Sequence, residues 1–261
     1  VLELFNPAPK IYFEMVARAI PNFNFEFSPE SHLEKVRRSS GKTYSNVELE
    51  KTIGDALECG CQKFDLFFMF GLPHQTPEKA LGTVDYCEEL LKKFGTKLNP
   101  FISPLAPFID PGSLAYEESE KFGYKIFYRT LEEHRQALVN PSWKYTLSYE
   151  TKWMTRDEIV ETTYQAALRL NRIKSDFGLI SPQVARAIEE RIKEAMVMMG
   201  EIDEIVQEKD ETLREERLMR LKPRIDQLSM DTICEADEIK WPAGKRRFNY
   251  FNIARDILFK R

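Results

Sequence analysis

Phe64-Asp65-Leu66-Phe67-Phe68-Met69-Phe70, followed by Gly71-Leu72-Pro73 and then by Thr76-Pro77, is the stretch on which the fold turns. Seven residues, six of them apolar, are too few for a buried helix and the right length for a strand covered on both faces, as in a parallel sheet. Gly71-Leu72-Pro73 ends the strand. Thr76 is placed to cap a following helix, with Pro77 at its first position. Ala80, Leu81, Val84, Cys87 and Leu91 give that helix one apolar stripe, and Gly95 closes it.

The same grammar extends to either side. Upstream, Ile11, Met15, Val16 and Ala19 have helical spacing, stopped by Pro21, and Phe23-Asn24-Phe25-Glu26-Phe27 alternates as a strand does. The segment 28–44 is polar, with Arg37, Arg38 and Gly41. Ser45 and Glu48 form a capping box ahead of Leu49, Ile53, Ala56 and Leu57, and Gly60 closes that helix. Downstream, a third strand is expected near Leu98–Ser103. Strands thus recur at roughly 35–40 residues with one helix in each gap, a βαβαβ order that implies a parallel sheet with right-handed crossovers. Three such strands fall short of an eight-stranded barrel, which needs about 200 residues or more. The expected fold class is therefore α/β, the C-terminal part of a (β/α) TIM-like partial barrel, followed by a helical C-terminal extension.

After residue 103 the pattern changes. Pro104, Pro107, Pro111 and Gly112 punctuate a long loop. Thr130 with Glu133 and Thr155 with Glu158 mark two further helix starts, around an aromatic stretch containing Trp143, Tyr145, Tyr149 and Trp153. That stretch either packs against the sheet or lines a pocket. From Ser181-Pro182 onward, Val184, Ile188, Ile192, Met196, Met199 and Ile202 make one helical stripe, and Leu213, Leu221, Ile225 and Leu228 suggest a second. The reading is a barrel portion over 1–180 and a helical extension over 181–261, ending in a basic, aromatic tail from 240.

Composition narrows the classes. The 261 residues are 43% hydrophobic and 31% charged, with a formal net charge of −4. That balance is ordinary for a globular chain and argues against a polyanion binder, so no nucleic-acid partner is expected. No apolar run is long enough to span a membrane, and the N-terminus carries no secretory pattern. The four cysteines, Cys59, Cys61, Cys87 and Cys234, are too sparse for a disulfide scaffold, and a reducing cytoplasm is the expected setting. Val1 stands where an initiator Met is absent, and the expectation is that further sequence lies upstream.

In parallel α/β folds, ligands bind beyond the carboxyl ends of the strands. The residues there are Ser28-Pro29-Glu30-Ser31, then Gly71-Leu72-Pro73-His74-Gln75-Thr76-Pro77-Glu78, then Leu105-Ala106-Pro107 and Asp110-Pro111-Gly112-Ser113. Glu30 and Ser31 suit a ribose or amino group. Gly71 would let a flat ring approach the backbone. Each residue taken singly reads as loop and cap chemistry. His74 sits in a ligand-facing loop, His134 in a charged helix, and Cys59 and Cys61 at a helix end.

In this order, the three phrases resemble the radical S-adenosylmethionine (radical SAM) enzymes. Ser28-Pro29-Glu30-Ser31, leading to Val36-Arg37-Arg38, resembles that family's fourth-strand ribose region, and Phe68 to Glu78 its fifth-strand Gly-Leu-Pro, Gln-Thr, Glu motif. Leu105 to Ser113 resembles its sixth-strand region, and the resemblance covers roughly residues 1–180. It is nearest to the branch with an N-terminal cobalamin-binding domain. The resemblance implies S-adenosylmethionine bound by Glu30, Ser31, Arg38, Gly71 and Pro107, and a 4Fe–4S cluster whose ligands are not in this chain. It also implies cobalamin and methyl transfer in the parent enzyme. The C-x3-C-x2-C that holds the cluster in that family is absent. His32 stands where many relatives have Gly after Glu-Ser, and His74 where many have Gly before Gln-Thr. The implied partners are the cofactor, a substrate and the N-terminal half of the barrel. Two other readings remain: a non-catalytic interaction module that docks a partner through helices in 181–230, and a small α/β protein that binds another nucleotide.

Overall fold

The computed structural model describes residues 1–104 and 109–230. The chain begins with strand β1, Leu2–Leu4, a strand not anticipated above because its three residues are too short to show a period. Helix α1 (Lys10–Ala19) leads to β2 (Phe25–Glu30), and the short α2 (Glu34–Ser39) to α3 (Asn46–Glu58) and β3 (Phe64–Phe70). Then come α4 (Pro77–Phe94) and β4 (Leu98–Pro104). The four strands form one parallel sheet in the order β1-β2-β3-β4. The strand order follows the chain order throughout.

The mixed α/β class with a parallel sheet is thus present. The anticipated boundaries shift at β2, which ends on Glu30 rather than Phe27, and inside 28–44, where α2 forms in the segment read as polar loop. The local start signals act as expected. Ser45 and Glu48 make a reciprocal capping box, and Thr76 accepts a hydrogen bond from the Lys79 amide with Pro77 at the first position.

Helices α1, α3 and α4 pack side by side, and α8 (Arg156–Asp176) continues the layer beyond α4. Against this layer the sheet turns Phe25, Phe27, Phe64, Leu66, Phe68, Phe70 and Leu98, all fully buried. Leu49, Ile53 and Ala56 of α3 and Ala80, Val84 and Cys87 of α4 complete the core. Of the strand residues of opposite parity, Asp65 is buried, whereas Glu26, Phe67, Met69, Asn99 and Phe101 are only half-buried. The expectation that β3 is sealed on both faces therefore needs correction among the described residues. One face is sealed by helices; the other carries a stacked pair, Phe67 on Phe101, with ring centroids 4.9 Å apart and planes within 11°.

Two small helices, α5 (Leu114–Glu117) and α6 (Ser119–Phe122), precede strand β5, Tyr124–Ile126. After α7 (Leu131–Leu138), strand β6 (Tyr149–Thr151) pairs with β5 in an antiparallel hairpin. Capping boxes start α7 at Thr130 and α8 at Thr155. Helix α9, Pro182–Val206, packs along α8 and buries Ala185, Met198, Ile202 and Ile205, with the Asn171 side-chain amide donating to the Ala185 carbonyl at 2.8 Å. Helix α10 spans Glu211–Met230 and contains Pro223. The chain divides into two compact units, Val1–Arg214 and a second from Glu215. The basic, aromatic tail from 240 lies outside the described residues, as does Cys234. No described helix is long and apolar enough to cross a membrane.

Candidate functional site at the carboxyl ends of β2 and β3

Strand β2 carries a bulge. Phe27 pairs with Leu66, but the next pair is Glu30 with Phe68, so β2 spends one extra residue between them. An unbroken register would have set Glu30 opposite Met69. Glu30 also adopts φ 66°, a left-handed conformation that non-glycine residues adopt only when their surroundings hold them there. Bulge and backbone together aim its carboxylate into a polar nest built by the segment 31–46.

In that nest, Lys42 Nζ lies 2.5 Å from Glu30 Oε1 and also donates to the Ser28 carbonyl. Among the described residues, the second carboxylate oxygen, Glu30 Oε2, is buried with no hydrogen-bond partner, and so is the Tyr44 hydroxyl. Burying a polar group without a partner costs about 1–3 kcal/mol, so a pair of such atoms marks a place where a ligand or ordered water completes the structure. The Tyr44 phenol is held far above its usual acidity range by burial, offset in part by the Arg37 cation and reinforced by the Glu30 charge. It is therefore a neutral donor and acceptor. Burial, followed by the Glu30 charge, raises the Tyr124 phenol in the same way, so Glu30 also feels the β5–β6 hairpin.

Arg37 holds the nest together. Its guanidinium is fully buried and donates to the Ser31 carbonyl through Nε at 3.2 Å and Nη2 at 2.9 Å. It donates further to the Tyr44 carbonyl at 2.9 Å and to Asn46 Oδ1 at 2.5 Å, and it sits 4.8 Å from the centre of the Tyr44 ring. The turn after Glu30 and the backbone of Tyr44 are thereby tied to one cation.

On the neighbouring strand, Gly71 has φ 84°. A Cβ there would meet the Tyr149 hydroxyl at 2.9 Å and its ring at 3.2 Å. A flat ring does lie against the Gly71 backbone, and it belongs to the chain itself: Tyr149 of β6, fully buried and edge-on to Tyr124 with centroids 5.5 Å apart. Gln75, also fully buried, accepts from the Leu72 amide and donates to the Met69 carbonyl, each at 3.2 Å. The Gln of the Gly-Leu-Pro-x-Gln phrase thus clamps its own turn. His74, at φ 66°, lays its ring 4.4 Å from that of Trp153.

Glu30, Ser31 and Gly71 therefore stand together at the carboxyl ends of adjacent strands, with Ser31 buried at 1% exposure. Arg38 stands apart from them: it faces solvent and pairs with Glu34 at 3.3 Å. Pro107 lies outside the described residues. Sequence reasoning missed Lys42 and Tyr44; it named Arg37 only within the Val36-Arg37-Arg38 phrase and Tyr149 only within an aromatic stretch that packs against the sheet or lines a pocket. Only the Arg37-Arg38 doublet signalled a basic residue at this point, and it did not say which of the two turns inward.

The remaining candidates make contacts within the fold. Cys61 and Cys87 are buried, and burial raises both thiols. His134 lies on α7, with its ring 5.8 Å from that of Tyr128. The Trp143 indole donates to the Tyr164 hydroxyl at 2.7 Å. A cavity of about 450 Å³ beside α8 and α9 is lined by Lys144, Tyr145, Asp157, Asp203, Met196 and Met199. Lys144 bridges Asp157 and Asp203 there, and Tyr145 donates to Asp203 at 2.8 Å, so these groups clasp the two helices. Among the described residues, no three metal-ligating side chains converge. Comparison with protein-family models and with curated proteins finds no match to this chain.

Proposed function

We propose that the chain is the adenosyl-binding part of a radical S-adenosylmethionine enzyme barrel, with the cluster ligands carried by polypeptide outside these residues. The observation that carries this reading is the pair of buried, unpartnered polar atoms, Glu30 Oε2 and Tyr44 OH, at the carboxyl end of a sequentially ordered parallel sheet. One is an acceptor and the other a hydroxyl, which is the complement of a vicinal diol such as a ribose. Strand β1 supports the reading too. It is paired on one side only among the described residues, and α1 beside it exposes Ile11 and Met15, a face on which a further βα unit would pack.

S-adenosylmethionine supplies the radical chemistry when bound; the residues of this chain bind and orient it. Glu30 accepts from one ribose hydroxyl, Tyr44 bonds the other, and Lys42 pairs with the carboxylate and aims it. Arg37 fixes the turn that presents all three. Tyr149 already covers Gly71, so the adenine ring is placed beside that contact rather than on it. A 4Fe–4S cluster has no seat among the described residues, and cobalamin-dependent methyl transfer rests on the resemblance alone.

The test is calorimetric titration of the chain with adenosine and with 2′,3′-dideoxyadenosine. Adenosine should bind at least tenfold more tightly, about 1.4 kcal/mol, and Glu30→Gln or Tyr44→Phe should each remove most of that difference without lowering the melting temperature. Equal binding of the two nucleosides, or no adenosine binding at millimolar concentration, would overturn the reading.

A further inference from the structure

Two unusual features of the described residues meet at one place. The first is the pair of buried, unpartnered atoms, Glu30 Oε2 and Tyr44 OH. The second is Phe5. Among the described residues it is the only phenylalanine, tyrosine or tryptophan that leaves more than half of its surface open, at 58% exposure. Burying such a ring is worth about 1.5–3 kcal/mol, so a chain that hides its other aromatic rings leaves this one out at a cost. Phe5 follows β1 by one residue, and β1 runs beside β2 up to the pair Leu4 and Phe27, where the bulge that aims Glu30 begins. The carboxyl ends of β1, β2 and β3 thus carry Phe5, Glu30 and Gly71 in that order. Lys42 ties the first two together: its amine lies 5.9 Å from the centre of the Phe5 ring and 2.5 Å from Glu30 Oε1.

We propose that Phe5 reads the sulfonium of the bound cofactor, receiving the positively charged sulfur of S-adenosylmethionine on its ring and so separating that molecule from the uncharged thioether S-adenosylhomocysteine. The inference rests on the adenosyl reading of the nest. A nucleoside is linear in its parts: base, ribose, then the group on the 5′ carbon. With the ribose on Glu30 at β2 and the base beside Gly71 at β3, the 5′ sulfur is directed toward β1. Adjacent strands lie about 4.8 Å apart, which is within the reach of a 5′ substituent.

The chemistry of the place suits a cation. The face of an aromatic ring carries negative potential and attracts ammonium and sulfonium groups alike, whereas a thioether brings no charge to it. The Lys42 ammonium is paired with the Glu30 carboxylate, so the two together present no net positive charge to repel a second cation. The open part of the Phe5 ring is what remains beyond the Lys42 contact. An aromatic contact at an exposed site gives a cation a preference of about two- to fivefold over a neutral isostere.

The test is calorimetric titration of the native chain, Phe5→Leu and Phe5→Trp with S-adenosylmethionine, S-adenosylhomocysteine and adenosine. The native chain should bind the sulfonium about two- to fivefold more tightly than the thioether. Phe5→Leu keeps an apolar side chain without a π face; it should abolish that preference and leave adenosine affinity unchanged. Phe5→Trp should preserve or enlarge it. Equal affinities of the native chain for the two cofactors, or a preference that survives Phe5→Leu, would overturn the proposal. Weaker adenosine binding in Phe5→Leu would also overturn it, because Phe5 would then be a contact of the base. Adenosine separates the two levels of the argument: binding of adenosine without a sulfonium preference defeats the role of Phe5 alone, and absence of adenosine binding defeats the nest and Phe5 together.

Discussion

Replacing Arg37 by methionine should be among the most damaging single changes in the first compact unit, while the same change at Arg38 should be nearly silent. The magnitude follows from the acceptors left behind. Arg37→Met strands the Ser31 carbonyl, the Tyr44 carbonyl and Asn46 Oδ1, three acceptors now served by one guanidinium. Each buried acceptor without a donor costs about 1–3 kcal/mol, a gross loss of roughly 3–9 kcal/mol. Against this stands the desolvation of the buried cation, several kcal/mol, which the apolar residue does not incur. A net loss of about 3–4 kcal/mol remains. With a urea dependence of about 2–3 kcal/mol per molar, the midpoint should fall by about 1–2 M. Arg38 is 61% exposed at its side chain and pairs with Glu34, a contact worth a few tenths of a kcal/mol at most. The assay is urea unfolding followed by tryptophan fluorescence, since Trp143 and Trp153 belong to the same unit. Equal midpoints for the two variants would refute the network as the tie that holds the nest.

Further predictions concern pH, packing and capping. Burial, and after it the Arg37 cation, pull the His32 pKa from 6.5 down to about 4, so below pH 6.5 the unfolded chain takes up a proton that the folded chain refuses. Stability should fall as pH drops from about 6.5 to 4, by up to about 2–3 kcal/mol, and His32→Gln should flatten that slope in melts taken across the range. Gly71→Ala places a Cβ 2.9 Å from the Tyr149 hydroxyl at φ 84° and should cost about 2–4 kcal/mol. Gly60→Ala meets only open space at φ 99°, so chemical denaturation should show it to be the milder change, by at least about 1 kcal/mol. Thr155→Ala removes a hydroxyl that accepts from the Glu158 amide at 3.2 Å and should lower stability by about 1 kcal/mol in the same denaturation experiment.

Local chemistry made most of the architecture legible in the sequence. The capping boxes at Ser45, Thr130 and Thr155 and the Thr76-Pro77 start stand where the residue types put them, because a cap is satisfied within four residues of itself. The run Phe64–Phe70 is the strand its composition implies. β1 was hidden because three residues carry no readable period, and its place in the sheet depends on backbone pairing with β2.

The site was legible in part. The strand-end positions of Glu30, Ser31 and Gly71 could be named in advance because the carboxyl end of a parallel strand is a topological address that a strand pattern discloses. Which arginine turns inward, and which ring lies against Gly71, could not be. Arg37 is selected over Arg38 by the phase of α2 against carbonyls contributed by Ser31 and Tyr44, six and seven residues away along the chain. Tyr149 reaches Gly71 from a hairpin nearly eighty residues later in the sequence. The sequence by itself determined the elements and their order, since helix starts, strand periods and turns are satisfied by neighbours in the chain. Only the tertiary structure decided which polar atoms are left without partners, because burial and pairing depend on segments that are distant along the chain and meet only in the fold.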